Sequence, residues 1–310
     1  MSTSGPSLWS PRYWPSWLAV GIFRALGLLP FRILWALGTG FGRLGYYLAG
    51  SRRRVGRRNL EICFPSLSPR ERDRMLRRHF GYLGQSAFIQ GLIWGASRER
   101  LRRLVRVVNR ERIDEYIAAG RAVIVLVPHF VGLELGGAAF TALVHRGIYM
   151  YQRIRDPVID AQIHKARTRF GSISVERQDD LRGLVRQIKA GNPFFYLPDQ
   201  NAGPRDGVFV PFCGLAASTV PMLSRFARLT GARVIPTYAR FLPRGRGLEL
   251  LFDPPLEGFP TEDPVADTAY MNQVIEARMR TMPEQYFWVH RRFKTRPRGE
   301  APVYADQRRR

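Results

Sequence analysis

One stretch of the chain presents a titratable pair at the end of a strand-like run, V-I-V-L-V-P-H-F-V-G-L-E-L-G-G at residues 123–137. The β-branched run ends at Pro128, His129 follows, and Glu134 begins a new apolar helical pattern. On one helix, residues five apart lie about 140° from each other, but a strand-to-helix turn would let the two side chains meet. A carboxylate that holds one imidazole nitrogen leaves the other free to take a proton from a hydroxyl. The pair predicts a general base, with a structural histidine at a strand end as the alternative.

The chain carries no sequence signature of a covalent nucleophile. The G-x-S-x-G pattern is absent, so we expect direct attack by a substrate hydroxyl and no acyl-enzyme. Cys63 and Cys213 lie far apart without metal-ligand spacing. We expect them to be separate buried thiols of a reducing compartment, neither a disulfide nor a zinc site. No metal and no cofactor are expected.

An alternation of strand-like and helix-like segments begins at residue 122. The predicted strands are 122–127, 147–152, 172–176, 193–197, 232–238 and 247–252, and the predicted helices are 133–145, 157–169, 179–190 and 218–229. Short loops with glycine separate them, which is typical of an α/β fold with a largely parallel sheet covered by helices. Ligands of such sheets bind beyond the carboxyl ends of the strands, where His129 would lie.

Upstream of this alternation the pattern is helical. Ser68, followed by Pro69 and Glu71, is typical of a capped helix start, and the helical pattern continues with interruptions to about Trp94. His79 lies within it and is predicted to be a surface or packing residue. Residues 98–119 are predicted to form two short helices.

The charge of the chain indicates anionic partners. Its 49 basic and 25 acidic residues give a net charge of +24, and 45% of its residues are hydrophobic, enough to bury a large core. Lys165, Lys189 and Lys294 are the only lysines, so nearly all the positive charge is arginine. Arginine forks match phosphates and carboxylates, so nucleic acid, anionic lipid and an acidic carrier protein are candidate partners.

The N-terminal 50 residues have the composition of a membrane anchor. Residues 8–16 mix tryptophan, tyrosine, arginine and proline, as at a membrane–water boundary. Residues 17–49 are strongly apolar, but Arg24, Arg32 and Arg43 interrupt them before any uncharged run reaches the roughly 18–20 residues of a spanning helix. We expect an interfacial anchor, followed by a basic cluster at 51–59 for anionic headgroups. A tilted span and a buried core helix remain alternatives, and no cleavable secretory signal is evident.

Several blocks of the sequence resemble those of one family. H-F-V-G-L-E at 129–134 is similar to the His-x4-Asp/Glu motif of glycerolipid acyltransferases. The wider sequence resembles the lipid A late acyltransferases of Gram-negative bacteria, the lauroyl/myristoyl enzymes. The collinear blocks are P-R-Y-W at 11–14, R-R-N-L-E-I-C-F-P at 57–65, Y-L-P-D at 196–199, G-P-R at 203–205, V-F-V-P at 208–211 and P-E-Q-Y-F-W-V-H-R-R-F-K-T-R-P at 283–297.

The resemblance implies a specific reaction and architecture. The family transfers an acyl chain from acyl carrier protein to the 3-hydroxyl of a hydroxyacyl chain on a Kdo-bearing lipid A precursor, at the cytoplasmic face of the inner membrane. Residues 51–297 would then form a glycerolipid-acyltransferase-like catalytic domain. Residues 1–50 would be its anchor and residues 298–310 a basic tail.

The resemblance also implies site residues. His129 would be the general base and Glu134 its orienting partner. Arg167 matches a family arginine and is expected to meet anionic substrate or developing oxyanion charge. Asp199 matches a family aspartate and would order Arg167 or the loop. The simpler alternatives are a solvated charge for Arg167 and a turn or cap residue for Asp199.

Other polar residues have less support from motifs. Arg153 and Arg177 follow predicted strands and are further substrate-binding candidates. His290 lies in the basic, aromatic block W-V-H-R-R-F and is expected to serve in structure or in binding phosphate or an acidic carrier, with a second base as the alternative. His145 and His164 are predicted to be surface residues.

The chain departs from the family pattern at two places. Residues 200–202 are Gln-Asn-Ala where family members commonly have a further acid, and the family's Tyr-Arg pair is here Tyr151-Gln152-Arg153, displaced by one. Two other functions stay open. One is a glycerophospholipid or other amphipathic-acceptor acyltransferase, and the other is a basic nucleic-acid or membrane-binding protein without catalysis, for which no nucleic-acid motif is present.

Overall fold

The computed structural model describes residues 8–176 and 181–304 as an α/β fold. The strands are β1 (Val105–Val108), β2 (Val123–Leu126), β3 (Ile148–Tyr151), β4 (Ile173–Glu176), β5 (Phe194–Tyr196), β6 (Val208–Phe212), β7 (Leu215–Thr219), β8 (Arg233–Phe241) and β9 (Leu248–Phe252). The α-helices are α1 (Trp14–Leu28), α2 (Phe31–Leu48), α3 (Gly50–Cys63), α4 (Pro69–Phe88), α5 (Gln90–Gly95), α6 (Arg98–Leu104), α7 (Glu111–Ala118), α8 (Leu133–Leu143), α9 (Pro157–Thr168), α10 (Leu181–Lys189), α11 (Met222–Thr230) and α12 (Pro264–Thr281). Short 3-10 helices lie at Pro11–Tyr13, Pro243–Gly245 and Pro283–Gln285.

Seven strands form one sheet in the order β1-β9-β8-β2-β5-β3-β4. The pairs β8–β2, β2–β5, β5–β3 and β3–β4 are parallel, as is β1–β9, while β8 and β9 are antiparallel. The mostly parallel sheet predicted from the sequence is therefore confirmed. β6 and β7 form a separate antiparallel hairpin.

Helices cover both faces of the sheet, which explains why its central strand β2 is apolar throughout. Ile124 and Leu126 pack into one core with residues of α3, α4, α10, α11 and α12. Val123 and Val125 point the other way, into a second core with residues of α2, α5, α6 and α8. All four side chains are fully buried. The sheet therefore holds the end of β2 rigidly from both sides.

Two stretches differ from the sequence analysis. Residues 98–119 form a helix, the strand β1 and a second helix, because the valines of β1 pair with β9, a contact that sequence-local reasoning cannot supply. The helix expected from residue 218 begins at Met222, since Leu215–Thr219 pairs with β6 instead. Upstream, the capping box of Ser68 and Glu71 at the start of α4 is confirmed.

The first two helices pack on the fold through glycines. A Cβ on Gly42 of α2 would lie 2.0 Å from the carbonyl oxygen of Phe80, and one on Gly91 of α5 would lie 1.5 Å from that of Phe23 in α1. The helix backbones touch at these points, so one face of each N-terminal helix is buried. The opposite face stays exposed although it is apolar. Within the described ranges, no helix combines the length and the apolar content that a membrane crossing requires.

The two cysteines are joined, which corrects the expectation of separate thiols. Cys63 ends α3, and Cys213 lies in the turn of the β6–β7 hairpin. The two form a disulfide with a Cα–Cα separation of 4.8 Å. α3 and the hairpin contribute to the same core, which brings together two residues that are 150 positions apart in the chain.

Candidate active site

The carboxyl ends of two neighbouring parallel strands deliver the central pair of the site. β2 and β5 are in register with Leu126 opposite Tyr196. Each strand is followed by an aliphatic residue and a proline, and then by His129 in one chain segment and Asp199 in the other. His129 and Asp199 each lie three residues after the paired positions Leu126 and Tyr196. They therefore meet at the same edge of the sheet, where ligands of parallel sheets bind.

Asp199 holds His129 through two hydrogen bonds. Its Oδ1 lies 2.6 Å from His129 Nδ1, and the His129 backbone amide donates to its Oδ2 at 2.9 Å. The side chain of Asp199 is 1% exposed and that of His129 is 22% exposed. We assign the proton to Nδ1, because a carboxylate can only accept, and this leaves Nε2 free to take a proton.

The same contact displaces the pKa values of both groups. Burial lowers the pKa of His129, but the charge of Asp199, its hydrogen bond and the charge of Glu134 outweigh burial and raise the pKa above 6.5. Burial raises the pKa of Asp199, but the charge of His129, the hydrogen bonds from its ring and amide, and the charge of Arg292 bring it below 3.8. The pair is thus built for a permanent carboxylate beside an imidazole that gains and loses a proton.

Glu134, expected as the partner of His129, instead binds Arg167. Arg167 Nη2 donates to Glu134 Oε1 at 2.5 Å, and Nε donates to Oε2 at 3.4 Å. Glu134 lies in the first turn of α8 and Arg167 in the last turn of α9. The expected contact of His129 with Glu134 is therefore wrong, and Asp199, expected to order Arg167 or the loop, binds His129 and not Arg167. The pairing differs from the expected one because the register of β2 against β5 places Asp199 against the imidazole of His129.

An apolar cavity of about 260 Å³ lies between α8, α9 and the sheet. Its lining includes Leu133, Phe140, Ala166, Phe195, Leu197 and Leu250. Glu134 and Arg167 are its charged lining residues, and their side chains are 32% and 34% exposed. The guanidinium of Arg167 also covers the ring of Tyr149 at 5.5 Å. A charged pair thus lies beside a space of the size and lining that suit a hydrocarbon chain.

The remaining predicted residues do not join this pair. Arg153 is exposed and binds Glu176 at 2.7 Å, and Arg177 lies outside the described residues. His164 is exposed and His145 half-buried. His79 is fully buried, with Nδ1 3.0 Å from the carbonyl oxygen of Glu284, so it is a packing residue. In residues 8–176 and 181–304, no group of three or more His, Cys, Asp or Glu side chains could hold a metal ion.

His290 lies near the pair but makes a structural contact. Its Nε2 accepts the backbone amide of Asn201 at 3.0 Å. Burial is the main cause that lowers its pKa to about 4, and the charges of Arg292 and His129 lower it further. The ring is therefore neutral near pH 7, and its Nε2 is already engaged.

Two site residues, Tyr286 and Arg292, were not singled out from the sequence. Burial and the charge of the neighbouring Asp199 raise the pKa of Tyr286 well above 10. Arg292 is 3% exposed. The available signal was the aromatic and basic block at 283–297, which suggested a docking surface. Its central residues are instead packed inside, as the fully buried Trp288 shows.

Comparisons with known proteins place the chain in a family. The family model for bacterial lipid A biosynthesis acyltransferases matches residues 2–295. The chain is 36% identical to the lipid A biosynthesis lauroyltransferase of Escherichia coli K12, over 96% of this chain and 97% of that protein. It is 32% identical to the palmitoleoyltransferase of the same strain, over 95% of each chain, and 30% identical to its myristoyltransferase, over 95% of this chain and 91% of that one.

A solved structure of more distant sequence was also found. The crystal structure of the 1-acyl-sn-glycerophosphate acyltransferase PlsC from Thermotoga maritima is 18% identical, with a TM-score of 0.39, over 79% of this chain and 97% of that chain. The similarity is too low to transfer residue roles. The family model and the relatives, each matched over nearly the whole chain, show that this chain belongs to the bacterial lipid A biosynthesis acyltransferases.

Proposed function

We propose that this acyltransferase moves a fatty acyl chain from acyl carrier protein to the hydroxyl of a hydroxyacyl chain on a Kdo-bearing lipid A precursor. The observation that carries the proposal is the His129–Asp199 pair beside an apolar cavity whose charged residues are Glu134 and Arg167. A base suited to an alcohol and a space suited to a hydrocarbon chain are the two requirements of acyl transfer to a hydroxyl. The relatives named for lauroyl, palmitoleoyl and myristoyl transfer support the acceptor class.

His129 acts as the general base in this mechanism. Its Nε2 takes the proton of the acceptor hydroxyl as the oxygen attacks the thioester carbonyl carbon. Asp199 accepts from Nδ1–H, fixes the tautomer and stabilises the imidazolium that forms. Collapse of the tetrahedral intermediate forms the ester and breaks the C–S bond, and the leaving thiolate takes the proton from Nε2. No covalent enzyme intermediate, metal or cofactor is required.

Arg167 stabilises the negative charge that develops on the thioester oxygen. A guanidinium is permanently charged and donates several hydrogen bonds, which suits an oxyanion. Glu134 holds it in place from the first turn of α8. Burial lowers the pKa of Arg167, but the charge and hydrogen bond of Glu134 outweigh burial and raise it, so the arginine stays protonated. Arg153 and Arg177 remain candidates for contacts with the lipid A phosphates.

The acyl chain of the donor occupies the apolar cavity. Most residues that line the cavity belong to α8, α9 and several strands, so its depth is set mainly by the core of the fold. One methylene in such a pocket changes discrimination by about 1–3 kcal/mol, so small changes in the wall shift the preferred chain length.

The N-terminal helices hold the enzyme at the inner membrane, with the catalytic domain on its cytoplasmic face. The apolar residues on their outer surface are Trp14, Leu18 and Ile22 on α1 and Ile33, Leu37, Phe41, Leu44 and Leu48 on α2, each more than two fifths exposed. Arginines at 52–54, 57 and 58 follow directly in α3, where they meet anionic headgroups. An interfacial position brings the site to both the lipid acceptor and the soluble carrier protein.

The test is acyl transfer by purified protein. Labelled acyl-carrier protein is offered with a Kdo-bearing lipid A precursor or with a lysoglycerophospholipid. We expect labelled product only with the first acceptor, and a loss of about 100-fold or more in His129→Ala. His145→Ala, a half-buried histidine away from the site, is the matched control.

Mass spectrometry of lipid A from cells with and without the protein then gives the added chain and its position. Transfer to the lysoglycerophospholipid alone would show that the acceptor is a glycerophospholipid and not a lipid A precursor. Undiminished transfer by folded His129→Ala would remove the proposed base.

A further inference from the structure

Residues 285–295 form hydrogen bonds with the backbone at His129 and with the loop that follows Asp199. The Phe287 amide donates to the carbonyl oxygen of His129 at 3.0 Å, and the Val131 amide donates to that of Gln285 at 2.9 Å. These bonds fix the backbone at His129 and two residues after it. The segment follows α12, more than 150 residues after His129, so the base is shaped by the C-terminal part of the chain.

The same segment also fixes the loop that carries Asp199. The Asn201 amide donates to His290 Nε2 at 3.0 Å, and the Thr295 amide donates to Asn201 Oδ1 at 3.0 Å. The loop after Asp199 is thus tied at several points. Asp199 is 2% exposed, so its position depends on these protein contacts and not on solvent.

Arg292 is the charged centre of this arrangement. It is 3% exposed, and its acceptors are neutral: the carbonyl oxygens of Gln200 at 3.3 Å and Ser218 at 2.8 Å, and the hydroxyl of Thr219 at 2.6 Å. The guanidinium of Arg292 therefore links Gln200, the residue after Asp199, to strand β7. Burying a guanidinium is costly, and neutral acceptors alone leave its charge uncompensated.

The fork binds Gln200, the residue next to Asp199, so this buried carboxylate lies near the guanidinium. Burial is the largest influence on the pKa of each group; beyond it, Arg292 lowers the pKa of Asp199, and the charges of Tyr286, Asp199, Tyr304 and Glu276 raise that of Arg292. Before catalysis His129 must be neutral, so it offers Asp199 a hydrogen bond but no counter-charge. Arg292 is the buried cation that remains beside the carboxylate in that state.

We propose that Arg292 is a positioning residue for the His129–Asp199 base. Its fork fixes the loop that carries Asp199, and its charge keeps that carboxylate ionised while His129 is neutral. Without this charge the pair would hold its proton to higher pH, either on the imidazole or on the carboxylate, because both are then easier to protonate. This inference rests on the proposed function only in naming the reaction in which His129 acts as the base. The effect of Arg292 on the His129–Asp199 pair does not depend on that reaction.

Three variants separate charge, geometry and general stability. Arg292→Gln removes the charge and keeps donors for the carbonyl oxygens. Arg292→Lys keeps the charge and loses the fork. Arg291→Gln, at the neighbouring and only half-buried position, is the matched control for the loss of one positive charge. The readouts are the NMR titration of His129 in protein with isotopically labelled histidine, and the pH profiles of kcat and KM.

In Arg292→Gln we expect the titration of His129 and the acid limb of kcat/KM to move to higher pH. In Arg292→Lys we expect the midpoint near that of the wild type, with kcat lower by about tenfold or more and KM within about twofold. Arg291→Gln should match the wild type. An unchanged midpoint in folded Arg292→Gln, or wild-type kcat in Arg292→Lys, would refute the role. The titration needs no substrate, so wild-type protein without transfer activity would overturn the proposed function and leave this test intact.

Discussion

The two carboxylates near His129 differ in their surroundings and so in their chemistry. Asp199 is buried and accepts from both the imidazole and the backbone amide of His129, whereas Glu134 is about a third exposed and faces Arg167. A buried carboxylate against Nδ1 sets both the tautomer and the basicity of the ring. Glu134 acts on the pKa of His129 through its charge, and in the proposed mechanism it serves the reaction by holding Arg167.

Replacing Asp199 by asparagine should change the pH dependence of transfer in a defined direction. Loss of the negative charge removes the main cause that keeps the pKa of His129 above 6.5, so this pKa falls. The base is then neutral at lower pH, and the acid limb of kcat/KM moves to lower pH. Because the tautomer and the imidazolium lose their support, kcat should fall by about 100-fold or more. Steady-state rates from pH 5 to 9 provide the measurement.

Glu134→Gln is the comparison at the residue scale. It should lower kcat through Arg167 and move the acid limb less than Asp199→Asn does, because Glu134 acts on His129 by charge alone. If the two variants gave the same displacement of the limb, the assignment of Asp199 as the direct partner would be wrong.

Sequence reasoning named His129, Glu134, Arg167 and Asp199 as candidates, but it paired His129 with Glu134. Glu134 follows His129 by five positions, which makes it the natural partner in a linear sequence. The true partner is 70 residues away, and only the register of β2 against β5 places it there. The sequence contains a signal for this pairing, because each of the two strands is followed by an aliphatic residue, a proline and a polar residue. Arg292 could not be found in this way, because its partners, Gln200 and two residues of β7, lie more than 70 positions away in the chain and no motif links them to it.

At the scale of elements, α2 is apolar on two faces for two different reasons. Its inner face, which includes Leu34, Gly38 and Gly42, packs against α4. Its outer face is largely exposed, with Phe41 at 57% and Leu44 at 54%, although the ring centroid of Phe41 lies 5.3 Å from that of Phe88 in α4. Amphipathic helices of soluble domains carry polar residues at such positions. The apolar sequence pattern predicts an anchor, but the glycine contacts that orient α2 are visible only in the structure.

Charges on the outer face of α2 should weaken membrane binding without unfolding the domain. Phe41→Glu with Leu44→Glu removes two exposed apolar side chains, and we expect the partition of purified protein onto anionic vesicles to fall by about tenfold or more. Leu229→Glu with Val265→Glu, at similarly exposed positions on α11 and α12, makes the same changes elsewhere and should leave binding unchanged. Equal losses in both double variants would show that net charge, and not this face, determines binding. Vesicle co-sedimentation separates the two results.

At the scale of the whole molecule, α4 contacts the 3-10 helix Pro283–Gln285, which leads into the segment beside His129. His79 of α4 contacts the carbonyl oxygen of Glu284 through Nδ1, and Arg78 binds the Glu284 carboxylate at 3.1 Å. Burial lowers the pKa of His79 to about 4. The contact with Glu284 by itself favours the protonated ring, but the added proton would sit on Nε2, which is buried without a hydrogen-bond partner among the described residues, so burial opposes protonation of the folded state.

Stability should consequently fall in acid over a defined range. The unfolded chain protonates His79 near pH 6.5 and the folded chain only near pH 4, so the unfolded state binds more protons between these values. The contribution of His79 is fully present above pH 6.5, declines as the pH falls to 4, and amounts to about 3 kcal/mol. His79→Asn, which can reproduce the Nδ1–H donor without titrating, should show a shallower decline in urea unfolding between pH 7 and 4.5. His164→Asn, an exposed position on α9, should follow the wild type. Parallel curves for the wild type and His79→Asn would mean that acid acts elsewhere in the molecule.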